Sequence, residues 1–193
     1  MNEPNTIFHQ RIRESLSVKS QLLDDPMIFQ QVLNLANKCA TTLRKEGKII
    51  LAGNGGSFAD AQHISAEFTS KLVRDRGPLG SIALGTNSSA MSAIANDYGY
   101  ENVFARELEA IMQQDDVVIL ISTSGNSRNI INAAQVAKKS DVATFGLTGG
   151  SGGTLTNQCE CIQVPSLDTA RIQECHILIG HIIVELTEQF YFD

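Results

Sequence analysis

Five short apolar runs, separated by stretches of helical spacing, are the feature of this sequence that most restricts its fold. The apolar runs cover residues 48–52, 80–84, 117–122, 142–147 and 161–164, and the helical stretches cover residues 58–72, 88–95, 101–112, 126–138 and 169–188. Apolar strands that alternate with helices are typical of a parallel sheet covered on both faces, with right-handed crossovers. The pattern therefore predicts an α/β fold, a three-layer doubly wound sheet of about five parallel strands.

Residues 6–46 show a different pattern, in which apolar side chains recur at three- and four-residue spacings. Asp24, Asp25 and Pro26 interrupt the pattern, and proline suits the first turn of a helix. We therefore expect two helices before the first strand. The sequence shows no repeat, low-complexity stretch or linker, so we predict a single domain over residues 1–193, with a helical preface (1–46) and an α/β core (47–193).

Charge and cysteine content narrow the classes of partner. The chain has 15 basic and 21 acidic residues, a formal charge of -6, which gives no global support for binding nucleic acid or anionic lipid. The apolar runs are shorter than the roughly 20 residues that a membrane span needs. The N-terminus lacks a secretory pattern, so we expect a cytoplasmic protein. Its four cysteines are too few for a disulfide scaffold, and Cys159 and Cys161 lack the spacing of a structural zinc site.

The loop after the first predicted strand is rich in glycine. Residues 53–57 read Gly-Asn-Gly-Gly-Ser and precede a helix, so they offer free backbone N–H groups to an anion or a polar oxygen. The alternative is a tight turn with Ser57 as the helix N-cap. The loop lacks the third glycine of a dinucleotide fingerprint, and the chain contains no P-loop lysine motif, so we expect no nucleotide cofactor.

The loop after the third predicted strand is rich in hydroxyl groups. Residues 122–127 read Ser-Thr-Ser-Gly-Asn-Ser and also precede a helix. Four hydroxyls in six residues exceed what helix capping needs, and together with helix N-terminal N–H groups they can bind a phosphate without any lysine. We therefore predict a phosphate site here. The later glycine-rich loop, residues 148–153, is less specific and is expected to serve as a connection.

Two helices carry side chains suited to proton transfer or metal binding. His63 and Glu67 stand four residues apart, about 40° apart on one helical face, and can act on one ligand; the alternative is a solvated surface pair. Gln173 and His181 lie on the last helix, separated by roughly 12 Å along its axis. A lone histidine in the apolar stretch around His181 is more often a satisfied core residue, but the other motifs favour a role in chemistry.

These motifs together resemble the phosphoheptose isomerase (sedoheptulose-7-phosphate isomerase) family of sugar-isomerase (SIS) domains. The resembling segments are residues 52–69, 95–107, 121–131 and 169–182, within a similarity that runs from about residue 47 to the end of the chain. The resemblance implies a flavodoxin-like SIS fold. It also implies an enzyme that converts D-sedoheptulose 7-phosphate to D-glycero-D-manno-heptose 7-phosphate through an enediolate, at the entry to bacterial ADP/GDP-heptose synthesis, which serves lipopolysaccharide or another glycoconjugate.

The same resemblance implies roles for individual residues. Glu67 and His181 would be the catalytic proton-transfer pair, and one zinc ion per subunit would be held by His63, Glu67, Gln173 and His181. The assembly implied is a cytoplasmic homotetramer with active sites between subunits. The implied substrate-binding residues are Asn54, Gly55, Gly56, Ser57, Glu67, Asn96, Asp97, Ser122, Thr123, Ser124, Ser127 and Gln173. Lys71 and Ala170 depart from the family, since some relatives have arginine and an acidic residue at these positions.

A non-catalytic function is the alternative to an enzymatic one. Some proteins of the same fold resemble adaptors for a replication initiator or sugar-phosphate sensors, and fold alone does not separate these classes. Adaptor-like relatives lack the glutamate and the second histidine, whereas this chain has both Glu67 and His181, which favours catalysis. A phosphosugar aldolase or a hexose-phosphate isomerase is the weaker enzyme alternative.

Overall fold

The computed structural model describes residues 4–193 and contains a five-stranded parallel sheet flanked by helices. The strands are β1 (Ile49–Gly53), β2 (Ser81–Ala83), β3 (Val117–Ile121), β4 (Ala143–Gly149) and β5 (Glu160–Val164). The helices are α1 (Pro4–Leu23), α2 (Pro26–Arg44), α3 (Gly56–Thr69), α4 (Ser88–Tyr98), α5 (Val103–Ile111), α6 (Arg128–Lys139) and α7 (Thr169–Phe192), with short 3₁₀ turns at Tyr100–Asn102 and Gly153–Asn157. The predicted fold class is confirmed.

The two faces of the sheet form two apolar layers. Ile49 and Leu51 of β1 pack in the layer under α2, α3 and α7, whereas Ile50 and Ala52 pack under α5 and α6. Successive side chains of a strand point to opposite faces, so a strand that is buried on both faces needs an unbroken apolar run. This is why β1 and β3 are buried at every position.

Local capping chemistry sets the start of α2. Asp25 caps α2 by accepting hydrogen bonds from Met27 N (2.8 Å) and Ile28 N (3.2 Å), and Pro26 follows as the first helical residue. The predicted break between the first two helices is therefore confirmed. At the other end of the chain α7 continues to Phe192, four residues beyond the predicted end.

The strand order β2-β1-β3-β4-β5 determines where the loops meet. From β1 the chain crosses to β2 on one side and then returns to β3 on the other side, which makes the gap between β1 and β3 a topological switch point. Gly53 at the end of β1 pairs in register with Ile121 at the end of β3. The glycine-rich and hydroxyl-rich loops therefore begin side by side, at the edge of the sheet where such folds bind ligands.

Helix α1 leaves large apolar side chains in solvent. Ile7, Phe8 and Leu16 are 46%, 62% and 62% exposed. Beside α1, an apolar groove of about 570 Å³ runs between α1, α2 and α7, with Phe29 and Ile182 among its lining residues. A surface of this kind on a small protein marks an interaction site. Every helix within residues 4–193 is too short or too polar to cross a membrane.

His176 is the buried histidine of α7, and it connects that helix to β4. Its side chain is fully buried and its Nε2 lies 3.0 Å from the carbonyl oxygen of Thr148. Burial lowers the pKa of His176 to about 4, because the charged imidazolium would lose its hydration, although the bond to Thr148 opposes this. His176 is thus a neutral core residue.

The pH dependence of stability should report this burial. Between about pH 6.5 and pH 4 the unfolded chain binds a proton at His176 that the native chain does not, so stability is lost as pH falls through this window, by up to ~1.4 kcal/mol per pH unit. Thermal unfolding from pH 7.5 to pH 4 should show a flatter decline for His176→Gln than for the parent. The exposed His9→Gln is the control; equal slopes in all three proteins would contradict the assignment.

Candidate active site

Glycines shape the junction between β1 and α3. A Cβ on Gly53 would lie 2.3 Å from the carbonyl oxygen of Ser57, so only glycine allows the strand to turn this sharply into the helix. Gly55, with φ +55°, precedes the first helical residue and has no side chain to cap with. Helix α3 begins at Gly56, so the alternative reading of Ser57 as its N-cap is wrong: Ser57 lies inside the first turn and is buried.

Asn54 links the glycine-rich loop to the helix that follows the hydroxyl-rich loop. Its amide and that of Asn129 exchange two hydrogen bonds, of 2.9 Å and 2.8 Å. The Tyr100 hydroxyl donates a further bond to Asn54 Oδ1 (3.1 Å). Sequence analysis did not single out Asn129 or Tyr100, since neither residue forms a ligand-binding pattern with its neighbours in the sequence. Their effect is to fix the two loops relative to each other.

The hydroxyl groups of Ser122, Ser124 and Ser127 make hydrogen bonds within the hydroxyl-rich loop. Ser127 occupies the N-cap position of α6 but makes no side-chain capping bond; its hydroxyl lies 3.3 Å from that of Ser122. The Ser124 hydroxyl accepts a bond from Asn126 N (3.2 Å), and Gly125 adopts a left-handed turn with φ +64°. Hydroxyls and N–H groups thus surround the N-terminus of α6, an arrangement suited to an anion.

The glycine-rich segment after β4 supports this loop rather than merely connecting two elements. Leu155 N donates to the carbonyl oxygen of Gly125 (2.9 Å), and Thr154 N and Oγ1 donate to Asn126 Oδ1 (3.0 and 2.9 Å). A Cβ on Gly153 would lie 2.4 Å from the carbonyl oxygen of Ser124. The expectation of a simple connection therefore needs correction: small residues here allow a second backbone to pack directly against the hydroxyl-rich loop.

His63, Glu67 and His181 converge from two helices. The Nε2 atoms of His63 and His181 are 2.9 Å apart, and His63 Nε2 lies 3.3 Å from Glu67 Oε1. The ligating atoms of the three side chains all lie within 4.8 Å of one another. The Glu67 side chain is 18% exposed and that of His63 49%. The alternatives of a solvated His63–Glu67 pair and a core His181 are not what the structure shows; the three residues form one candidate metal or proton-transfer site.

Gln173 projects from α7 toward the N-terminal part of α3, where its amide lies against Gly56 and near Asp60. A Cβ on Gly56 would come within 2.3 Å of Gln173 Nε2, so glycine at this position makes room for the amide. Asp60, one turn before His63, lies beside the cluster and was not singled out by sequence analysis. Its pKa is raised by burial, against the opposing effects of a hydrogen bond with Gln173 and of nearby His63. Asp60, His63 and Glu67 occur at i, i+3 and i+7, a shared-face spacing that was a usable signal.

The remaining predicted positions lie apart from the cluster. Asn96 donates to Asp97 Oδ1 (2.7 Å), and both side chains are exposed on α4, beside a groove lined by serines. Lys71 forms an exposed ion pair with Asp75 (3.0 Å). Ala170 lies in the first turn of α7, where Asp168 supplies the carboxylate as N-cap, accepting from Ala170 N (2.8 Å).

Comparison with known proteins identifies the family of this chain. The SIS domain family model matches residues 12–149. The phosphoheptose isomerase of Aneurinibacillus thermoaerophilus is 47% identical over 189 residues, which cover 97% of this chain and 96% of that protein. Phosphoheptose isomerase 2 of Campylobacter jejuni subsp. jejuni serotype O:2 is 46% identical over 193 residues, all of this chain and 96% of that protein. The structure of a phosphoheptose isomerase from Neisseria gonorrhoeae matches with a TM-score of 0.90 and 35% identity, covering 97% of this chain and 100% of that one.

Proposed function

The chain belongs to the phosphoheptose isomerases of the SIS domain family, and we propose that Glu67 and His181 are the side chains that move protons in its reaction. The reaction is an aldose–ketose isomerisation that interconverts sedoheptulose 7-phosphate and D-glycero-D-manno-heptose 7-phosphate. The observation that carries the proposal is the convergence of Glu67, His63 and His181 within 4.8 Å. A base and an acid are thereby held within reach of one small substrate.

Each of the two side chains suits one part of the isomerisation. A proton must move between C1 and C2, and the protons on the two oxygens must be redistributed through an enediolate. Glu67 Oε1 accepts the carbon-bound proton and returns it, since a carboxylate held within the cluster can serve as a general base. His181 exchanges the oxygen-bound protons, because a neutral imidazole ring has one nitrogen that donates and one that accepts.

We propose that one zinc ion per subunit is held by His63, Glu67, His181 and Gln173. Zinc prefers nitrogen and oxygen ligands in tetrahedral sites, with bonds near 2.0–2.2 Å that separate ligand atoms by about 3.3 Å. The His63–Glu67 separation of 3.3 Å meets this requirement, and the His63–His181 separation of 2.9 Å is slightly shorter. The three clustered side chains support this assignment, and Gln173 is the proposed fourth ligand. Bound there, zinc would polarise the substrate carbonyl as a Lewis acid.

The phosphate is proposed to bind the hydroxyl-rich loop, at Ser122, Thr123, Ser124 and Ser127. The other proposed sugar-binding positions are Asn54, Gly55, Gly56, Ser57, Glu67, Asn96, Asp97 and Gln173.

Ser127→Ala should weaken substrate binding about tenfold or more and leave the fold intact, because a hydrogen bond to a charged phosphate is worth more than a neutral one. Ser124→Ala should act similarly. The inhibition constant of a phosphosugar measures this; the exposed Ser17→Ala is the control, and unchanged constants would rule the site out.

We further propose a homotetramer in the cytoplasm with active sites between subunits. The exposed apolar residues of α1 and the apolar groove beside it support an extensive subunit contact. Sedimentation at micromolar concentration should give the tetramer, and a monomer would contradict the proposal.

Proton exchange tests the reaction and the metal together. The protein is incubated with sedoheptulose 7-phosphate in deuterated water, with and without a chelator. An enediolate intermediate should lead to deuterium at the exchanging carbon, and the chelator should abolish exchange if zinc takes part. Exchange that survives removal of zinc would eliminate the metal from the mechanism. A folded protein that binds the sugar phosphate without exchange would instead favour the adaptor or sensor function.

A further inference from the structure

A buried ion pair connects the two helices that carry the active-site cluster. Arg76 lies in the segment between α3 and β2, and Glu188 lies near the end of α7. Their side chains are only 2% and 3% exposed, and Arg76 Nη2 is 2.7 Å from Glu188 Oε1. Arg76 Nε donates a second bond to the same oxygen (2.9 Å). No role in the reaction described so far requires this pair.

The Arg76 guanidinium also caps the end of α3. Its Nη2 donates to the carbonyl oxygen of Glu67 (2.9 Å), and its Nη1 donates to those of Phe68 (2.7 Å) and Ser70 (3.1 Å). The last carbonyls of a helix have no partner within the helix and need donors from elsewhere. Arg76 therefore binds the backbone of the very residue whose carboxylate is the proposed base.

Glu188 anchors the other side of the connection. Besides Arg76, it accepts a bond from Arg74 N (3.2 Å). Burial alone would raise the pKa of Glu188, but these donors outweigh it and hold the pKa below its usual value. Glu188 follows His181 by seven residues, which places both on nearly the same face of α7, about 10 Å apart along its axis. The pair thus joins the face of α7 that carries His181 to the end of α3 that carries Glu67.

We propose that Arg76 and Glu188 are positioning residues that hold Glu67 and His181 at their working separation. The inference rests on the proposed roles of Glu67 and His181. Stability alone accounts poorly for such a pair, because a buried ion pair contributes little more than well-packed apolar residues would. The pair makes directional hydrogen bonds, including one to the Glu67 backbone, and these fix the position of α3 relative to α7. Apolar packing has no such direction.

The variant Arg76→Gln/Glu188→Gln tests this, since it removes both charges and leaves no buried charge unpaired. Loss of an outer-shell contact typically costs 10- to 100-fold in activity or metal affinity, so we expect kcat to fall by about that factor, with KM changed less than about threefold. Arg76→Lys keeps the charge but not the planar fork, and should lose about tenfold in kcat with little change in Tm. If the double variant does not fold, Arg76→Lys decides.

The matched control is Lys48→Met/Asp116→Asn. This ion pair, with 2.6 Å between Lys48 Nζ and Asp116 Oδ2, lies at the N-terminal ends of β1 and β3. These ends are on the side of the sheet away from the active-site loops, and Asp116 is buried. We expect this control variant to have a lower Tm than the parent and an unchanged kcat. If control and test variants lose kcat equally, or if Arg76→Lys retains full kcat, the positioning role is overturned and the pair is structural.

A double-mutant cycle separates this inference from the proposal beneath it. If Arg76 and Glu188 act through Glu67, replacing them in a Glu67→Gln background should lower residual proton exchange little further. If these substitutions lower activity in the Glu67→Gln background by the same factor as in the parent, the inference is overturned. The Kd for zinc, measured by chelator competition, should rise about tenfold in the double variant, and an unchanged value together with an unchanged kcat would also overturn it. Normal turnover of Glu67→Gln itself would instead remove the proposed mechanism.

Discussion

Glu67→Gln is expected to lower kcat by 10²- to 10⁴-fold, the range typical for loss of a general base. Glutamine keeps the size of the side chain and most of its hydrogen bonding but cannot accept a proton from carbon. Substrate should still bind, because the hydroxyl-rich loop, the proposed phosphate site, lies between other elements, β3 and α6. Steady-state kinetics and the inhibition constant of a phosphosugar measure the two effects separately.

Glu185→Gln is the matched control for this change. Glu185 is exposed and stands one turn beyond His181 on α7, so its substitution alters the charge near the site without touching the cluster. It should leave kcat within about twofold of the parent. Near-normal turnover in Glu67→Gln would refute the proposed mechanism, whatever the control does.

His181→Asn should depress turnover over a similar range, about 10²-fold or more. An amide cannot shuttle a proton between the two oxygens of the substrate, although it can still coordinate a metal weakly. If the two residues act in one relay, as proposed, Glu67→Gln/His181→Asn should be little worse than the poorer single variant. Losses that multiply in the double variant would mean that the residues act independently.

Metal content, measured on the same series, separates ligation from proton transfer. Zinc lost in step with activity would favour ligand roles for Glu67 and His181, whereas retained zinc would favour base chemistry. His63→Asn completes the comparison, since His63 lies within the cluster but has no proposed proton-transfer role. The zinc content of His63→Asn should fall strongly. Its rate of proton exchange, measured at saturating zinc, should fall less.

The parts of the molecule that the sequence predicts well are those set by local chemistry. Apolar runs identify all five strands, and burial on both faces explains why the runs of β1 and β3 are unbroken. The cluster of His63 and Glu67 follows from helical spacing alone. The approach of His181 to His63 depends on the packing of α3 against α7, so the resemblance to a family, rather than spacing, brought these residues together.

The contacts that sequence analysis missed join residues far apart in the chain. Arg76 and Glu188 are 112 residues apart, and Asn54 and Asn129 are 75 apart. Neither pair has a local pattern, because arginine after a helix and asparagine in a first turn are ordinary surface choices. The strand order brings Asn54 to Asn129, whereas the packing of α7 against α3 brings Glu188 to Arg76. Ser57 is the converse case: its residue type suited a cap, but Gly55 and Gly56 start the helix earlier.

The edges of the sheet have a consequence for how copies of this chain can associate. One edge is β2, which has only three residues, and the other is β5, where Gln31 of α2 donates to the Cys161 carbonyl (3.4 Å) and Glu160 presents a charge. Short, covered or charged edges discourage strands of another molecule from extending the sheet. Subunits should therefore meet through helical faces, so that assembly can add apolar contacts without lengthening the sheet, and the same features protect the chain from edge-to-edge aggregation.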